Sequence, residues 1–442
     1  MRRNTTSHWQ LLHLRANMEA LSNRWGVMIG LWGRRIGWAA ALASASIPAA
    51  SAQVAAPSVE RAPGNVELPT VERRDPLVIQ LAYTGDLLSA VAGGANRGSR
   101  WIHNVSGIAT ADLDQLAGVP RTTALVHGFY NNGGSFSGGV VGDAQVVSSI
   151  EAGMPLFRLL EAWVEHGGAD GRWSAKLGLY DINSEFDALQ TSLLLVNSAF
   201  GMGSDLGSSG RNGPSTFPST GLALRGQVRL ARALTLRAAV ADGVPNDPAF
   251  PRRLNVGLSS GDGALVIGEG DVELGNLRVL AGAWGYTARI DDRFDAGIAA
   301  ATKRRVASNG VYLRGEAQLV GDRDRGVRAF VRLGAASGRA NIFDRFVSGG
   351  IVGHGLVPGR PADDSGIAIA WAGASGASRD LAFARYGDTS EAETAIELTH
   401  RVAVTDWLGV QPHVQYVVDP GLDPTLDDAL ILGIRLTAAF AH

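Results

Sequence analysis

The final segment, Ala429–His442 (ALILGIRLTAAFAH), does most to constrain the fold. Leu430, Leu432, Ile434, Leu436, Ala438 and Phe440 share one parity, and Ile431, Gly433, Arg435, Thr437 and Ala439 the other. Side chains on a strand alternate with a period of two, so one face is a continuous apolar stripe and the other carries Arg435 and Thr437. A segment of about twelve residues suits a tilted strand crossing a bilayer. A terminal strand with an aromatic near its end points to the bacterial outer membrane and away from a soluble enzyme.

The front of the chain agrees. Arg34 and Arg35 precede the apolar run Ile36–Leu42, and small residues follow up to Ala50-Ser51-Ala52. This layout predicts a secretory signal peptide over residues 1–52, cut before Gln53, with Met28 as an alternative start. Residues 53–76 are rich in Pro and charge and lack periodicity, as in a periplasmic tail. The barrel is expected over residues 77–442.

Composition excludes several classes. Beyond the signal no window approaches 18 consecutive apolar residues, so helical membrane spans are ruled out. The chain has no Cys among 442 residues, so disulfides cannot stabilise it. A closed barrel, which pairs every backbone N–H and C=O around a ring, supplies that stability differently. A net charge of −2 argues against a nucleic-acid partner, and 45% hydrophobic residues argue against disorder.

From Leu77 onward, alternating runs are separated by Gly/Asp/Asn/Ser clusters. Trp173, Ala175, Leu177 and Leu179 oppose Ser174, Lys176 and Gly178. Leu222, Leu224, Val228 and Leu230 oppose Arg225, Gln227 and Arg229. Val311, Leu313, Ala317 and Leu319 oppose Tyr312, Arg314, Glu316 and Gln318, and Val410, Val414, Tyr416 and Val418 oppose Gln411, His413 and Gln415. Polar stripes this dense in Arg, Gln, Glu and Tyr fit a hydrated lumen better than a sandwich core. The connections are unequal: Ala231-Arg232-Ala233 is a tight turn, whereas Gly201–Thr220 reads as long and structureless, and Asp291–Asn309 and Gly353–Gly366 also read as long. Short turns at one end and long loops at the other are expected of such a barrel, and inward-folded loops would narrow it.

Seven collinear segments carry a resemblance. They are Ser149–Glu151 with Arg158–Glu165 (RLLEAWVE), Leu177–Phe186, Val196–Gly201, Asp262–Ile267, Leu356–Pro361 and Asp406–Tyr416. In that order they resemble the carbohydrate-selective porins of the OprB family, over nearly the whole mature chain. The resemblance implies an antiparallel transmembrane β-barrel of about 16 strands in the outer membrane that passes sugars into the periplasm by diffusion. It also implies a chain that meets outer-membrane lipid, lipopolysaccharide and the assembly machinery, is favoured as a monomer with a trimer as the alternative, and needs no cofactor. The family usually ends on its aromatic residue, whereas here Ala441 and His442 follow Phe440.

A sugar pore needs hydroxyl partners and flat apolar faces, bound weakly enough that the solute leaves. If Leu160, Ala162 and Val164 face lipid, Glu161, Trp163 and Glu165 face the lumen, and Arg158 joins them as a candidate. Asp181, Asn183 and Glu185 lie where a strand runs into a loop, with Arg225, Arg229, Arg314 and Arg332 as an opposing basic wall and Glu316 beside it. Glu161 and Arg225 are expected to form a mixed-charge eyelet with Trp163 as a stacking face. On that reading Arg225→Ala spares assembly and changes flux. The competing reading pairs these charges across strands to rigidify the barrel.

Other motifs fail on context. Gly257-Leu-Ser-Ser-Gly261 matches G-x-S-x-G, but a strand-like run follows where a nucleophile elbow needs a helix. Asp419, Asp423, Asp427 and Asp428 suit a solvated turn better than a calcium loop. His127 and His413 read as lumen or packing residues. The alternatives that remain are a barrel-anchored enzyme or adhesin and a soluble secreted β-protein such as a lectin.

Overall fold

The computed structural model describes residues 61–62, 66–67 and 75–441, apart from 247–250, 253–255, 257, 260, 300–301 and 323–324. The signal peptide expected over residues 1–52, most of the tail over 53–76, His442 and part of the G-x-S-x-G match therefore lie outside the described residues.

Sixteen antiparallel strands close into one barrel. In chain order they are β1 (Leu77–Ala92), β2 (Gly98–Asp112), β3 (Thr122–Asn132), β4 (Leu156–Gly167), β5 (Trp173–Tyr180), β6 (Gly221–Ala231), β7 (Leu234–Asp242) and β8 (Ala264–Leu274). They continue with β9 (Leu277–Tyr286), β10 (Asn309–Gly321), β11 (Gly326–Ala336), β12 (Phe343–His354), β13 (Asp364–Ala374), β14 (Ala392–Thr405), β15 (Leu408–Val418) and β16 (Ala429–Ala441). Each strand pairs with its sequence neighbours, and β16 closes the ring on β1 from Leu430↔Ala92 to Ala441↔Gln80. At this seam Arg435 sits directly opposite Asp86, and their side chains meet at 2.7 Å.

The period-two reading of the wall holds. Leu432, Ile434 and Phe440 of β16 are exposed on the outside while Ile431 and Arg435 are buried within. The same inversion recurs in β6, where Leu224 is exposed and Arg225 buried, and in β10, where Val311 and Leu313 are exposed and Tyr312 and Arg314 buried. Lipid dictates this arrangement: an Arg facing hydrocarbon at the midplane costs about 2–4 kcal/mol.

An even strand number returns the chain to the end where it began. That end carries the connections 113–121, 168–172, 232–233, 275–276, 322–325, 355–363 and 406–407. The opposite end carries the loops L1 (93–97), L2 (133–155), L3 (181–220), L4 (243–263), L5 (287–308), L6 (337–342), L7 (375–391) and L8 (419–428). Two expectations about loops need correcting. The Gly353–Gly366 connection belongs to the short-turn end, and both its termini lie inside strands. Gly201–Thr220 is not structureless: Ser204–Gly207 makes a helical turn, and Thr216 and Ser219 form a β-bridge.

L2 and L3 fold back into the barrel because they carry its apolar core. Phe136, Val140, Val141, Val147 and Ile150 of L2 pack on Leu88, Ile102, Val417 and Ile431. Leu189, Leu195 and Phe200 of L3 pack on Phe330, Phe343, Phe346 and the alanines of β13. The barrel thus buries loops inside it, while its strands expose their apolar face outward.

The inward-folded loop and the lumen

β4 positions four of the expected site residues, Arg158, Glu161, Trp163 and Glu165, through an irregularity. His127 of β3 pairs with Glu161, but the next residue, Gly128, pairs with Leu159, so Leu160 is an extra residue. A bulge of this kind shifts the parity of one strand relative to its partner. Arg158 and Glu161 would otherwise face opposite ways; the bulge turns both inward. Leu160 does not face lipid: it is buried against Phe129 and Leu156 inside the barrel. Arg158 donates to the Pro218 carbonyl and the Ser219 hydroxyl, both at 2.8 Å, and so holds the end of L3.

Glu165, Glu185 and Arg225 form one cluster with Lys176. Arg225 donates to Glu185 through Nε and Nη2 at 2.7 Å, to Glu165 at 2.8 Å and to Ser174 at 2.7 Å. Lys176 Nζ lies 2.8 Å from Glu185 and 4.1 Å from the centre of the Trp163 ring. Burial pushes the Glu185 carboxyl up, but Lys176 and Arg225 beside it prevail and hold it well below the usual carboxylate range. The face of Trp163 is therefore occupied by an ammonium group, and Arg225 is spent on L3 and on β4.

Arg314 on β10 and Arg332 on β11 do the same further round the wall. Arg332 grips Asp187 at 2.9 Å and Asp205 at 2.6 Å, and Arg314 reaches Asp187 at 3.1 Å and the Gly201 carbonyl at 2.7 Å. Arg332 is fully buried, and L3 passes so close that a Cβ on Gly203 would fall 2.0 Å from its Cζ. Glycine is required there by that approach. Glu316 accepts from the Thr191 N–H and hydroxyl at 2.8 Å, another tether on L3.

On β14, Glu393 and Glu397 anchor the two inward loops. Glu397 accepts from the Val196 and Asn197 N–H groups at 2.8 and 2.9 Å, and Glu393 from Ala144 and Gln145, each at 2.8 Å. Ser148 of L2 donates to Asp86 at 2.6 Å, tying L2 to the closing seam. At the mouth of L3, Asp181 accepts from the Asn183 and Phe217 N–H groups, while its own N–H donates to Glu161. Burial and the nearby Glu161 push its carboxyl up to about 7.

All the expected residues on strands point inward. Arg225, Arg314 and Arg332 are nevertheless sealed beneath L3, so the wall they form holds the loop and presents no free face to a solute. Glu165 and Glu316 keep 25% and 12% side-chain exposure, and Glu161 keeps 12%. Arg229, nearer the short-turn end, is half-buried and stands outside the ion-pair cluster.

Residues missed from the sequence complete this lumen. Arg237 pairs with Glu269 at 2.9 Å and Asp271 at 3.2 Å, and Arg278 pairs with Asp271 at 2.7 Å and Glu316 at 3.3 Å. Arg278 keeps 23% exposure, so this alternating row of charges is partly open. A lone charge inside an apolar strand, as at Asp86 and Arg278, is the signal that could have found such positions. Asp187 and Asp205 lie in a loop without periodicity, and no local pattern distinguishes them.

This architecture matches known proteins. The model of the carbohydrate-selective porin, OprB family, matches residues 99–440. Porin B of Pseudomonas aeruginosa is 25% identical over 399 residues, which is 82% of this chain and 87% of that protein. The high-pH structure of Pseudomonas putida OprB superposes with a TM-score of 0.72 at 21% identity, covering 83% of this chain and 94% of that one. Salmonella typhi OmpF in complex with daunomycin shares the barrel at a TM-score of 0.53 and 10% identity, covering 82% and 97%. A closed sixteen-stranded wall, apolar outward and charged inward, and a family match over most of its length place this chain in the carbohydrate-selective porin family OprB, in the bacterial outer membrane.

Proposed function

We propose that this porin passes small carbohydrates by diffusion through a lumen narrowed by L3, and that the solute meets only the partly open charges. The single observation that carries this reading is the division of the inward charges into two sets. Arg225, Arg314 and Arg332 are consumed in buried pairs with Glu185, Asp187 and Asp205, which fix the loop. Glu165, Arg278, Glu316 and Arg229 remain reachable.

Carboxylates and guanidinium groups exchange hydrogen bonds with sugar hydroxyls, and several weak contacts in series let a solute leave as readily as it enters. Alternating signs along β8, β9 and β10 leave little net field, which suits an uncharged solute better than an ion. Catalysis gains no support: Ser259 is followed by β8 and not by a helix. The lumen lies within one chain, so each copy can conduct whether it stands alone or in a trimer.

Liposome swelling tests the proposal. Vesicles carrying the purified porin should swell in isosmotic glucose and more slowly in larger sugars. Equal rates with and without the protein would refute it.

A further inference from the structure

At the loop end of the barrel, L3, L5, L6 and L7 enclose a cleft of about 550 Å³. Arg211 of L3, Arg293 and Arg305 of L5 and Arg385 of the L7 helix (Gly376–Tyr386) line it, against a single lining carboxylate, Asp291. Two of these arginines are already neutralised, Arg211 by Asp262 at 2.8 Å and Arg305 by Asp291 at 2.9 Å.

Arg293 and Arg385 are in a different position. Arg293 Nε donates to the Ser378 hydroxyl at 2.7 Å, and Arg385 Nη2 donates to the Gly297 carbonyl at 3.1 Å. Among the described residues neither has a carboxylate partner. Burial, and then Arg385, depress the Arg293 guanidinium below its ordinary value, but a guanidinium stays charged at any relevant pH. Two like charges therefore share a cleft whose interior lacks their counter-ion. Arg225, Arg278 and Arg332 are each matched by a carboxylate, whereas Arg158, like Arg293 and Arg385, is held by carbonyl and hydroxyl groups.

A guanidinium fork matches a carboxylate in two-point geometry, and a cleft of this volume exceeds what a bare ion fills. Leu381 supplies an apolar patch against which the C–H face of a ring packs.

We propose that this cleft is a binding site for a small organic anion of the sugar-acid type, its carboxylate held between Arg293 and Arg385. The site is separate from the ion-paired lumen and does not depend on the permeation reading, because binding is measured without transport.

The test uses protein refolded into detergent, which is free of lipopolysaccharide, titrated calorimetrically with glucuronate, glucose and inorganic phosphate. Glucuronate should bind, glucose at the same concentrations should give no heat, and R385Q should weaken glucuronate binding about tenfold or more, as expected when one fork of a charge-assisted pair is removed. Arg385 is exposed, so this variant keeps its fold; R293Q/R385Q should abolish binding. Indistinguishable heats for glucuronate and glucose, or an unchanged affinity in R385Q, would overturn the proposal. So would a site that takes phosphate or added lipopolysaccharide but not glucuronate.

Discussion

Arg225 shows what burial does to the meaning of a charged residue. Its position on β6 places it inward, and alternation alone makes Arg225→Ala a change in flux that spares assembly. The structure reverses that expectation, because the substitution strips Glu185 and Glu165 of a shared donor and leaves Glu185 buried with Lys176 alone. Breaking a buried pair from one side costs about 3–5 kcal/mol. The variant should lose its compact, heat-resistant gel mobility at a lower temperature than the parent; equal resistance would mean that the cluster contributes no stability. Asp181 has the opposite character. Its carboxyl is pushed up to about 7 in the folded protein, above the unfolded value, so the folded state holds the proton more tightly. Stability should therefore fall as pH rises from about 4 to 7. Asp181→Asn keeps one of the two acceptors, places an NH2 group where the other N–H had its partner, and removes the charge; it should flatten that fall. A pH profile of the heat-resistance temperature identical in both proteins would contradict this.

At the scale of elements, the bulge in β4 decides which residues reach the interior. Deleting Leu160 restores strict alternation, and one of two things follows: Arg158 turns to lipid, or Glu161, Trp163 and Glu165 do. A one-residue slip moves a whole set of side chains to the other face. The deletion variant should fail to reach the outer membrane as a folded species, as read by fractionation, whereas Leu160→Ala should still assemble. A folded deletion variant would show that β4 tolerates either register. The strands themselves were legible because lipid imposes a strict period of two, clearest in β6, β10 and β16. The bulge was not, since Leu160 continues an apolar parity without a visible break. L3 was legible only as a long connection. Its path depends on Asp187 and Asp205 meeting Arg314 and Arg332, more than one hundred residues further along the chain, and nothing local in sequence records such a meeting.

Considered whole, the molecule has apolar surface outside, a charged wall inside, and two loops packed into the bore with their own hydrophobic clusters. The same inward charges serve as tethers where L3 covers them and as lumen lining where it does not. The strand-borne candidates named from sequence do point inward, but Arg237, Glu269, Asp271 and Arg278 were missed, Leu160 was placed on the wrong face, and burial divided the inward charges between these two roles. Current through a single porin in a planar bilayer tests the central claim most directly, because it reads the lumen itself. Insertion should produce discrete conductance steps, and added glucose should lower the step height in a concentration-dependent way as solute occupies the narrowed bore. Membranes that show no steps, or steps of constant height across the glucose series beyond the change in solution conductivity, would contradict an L3-narrowed sugar channel.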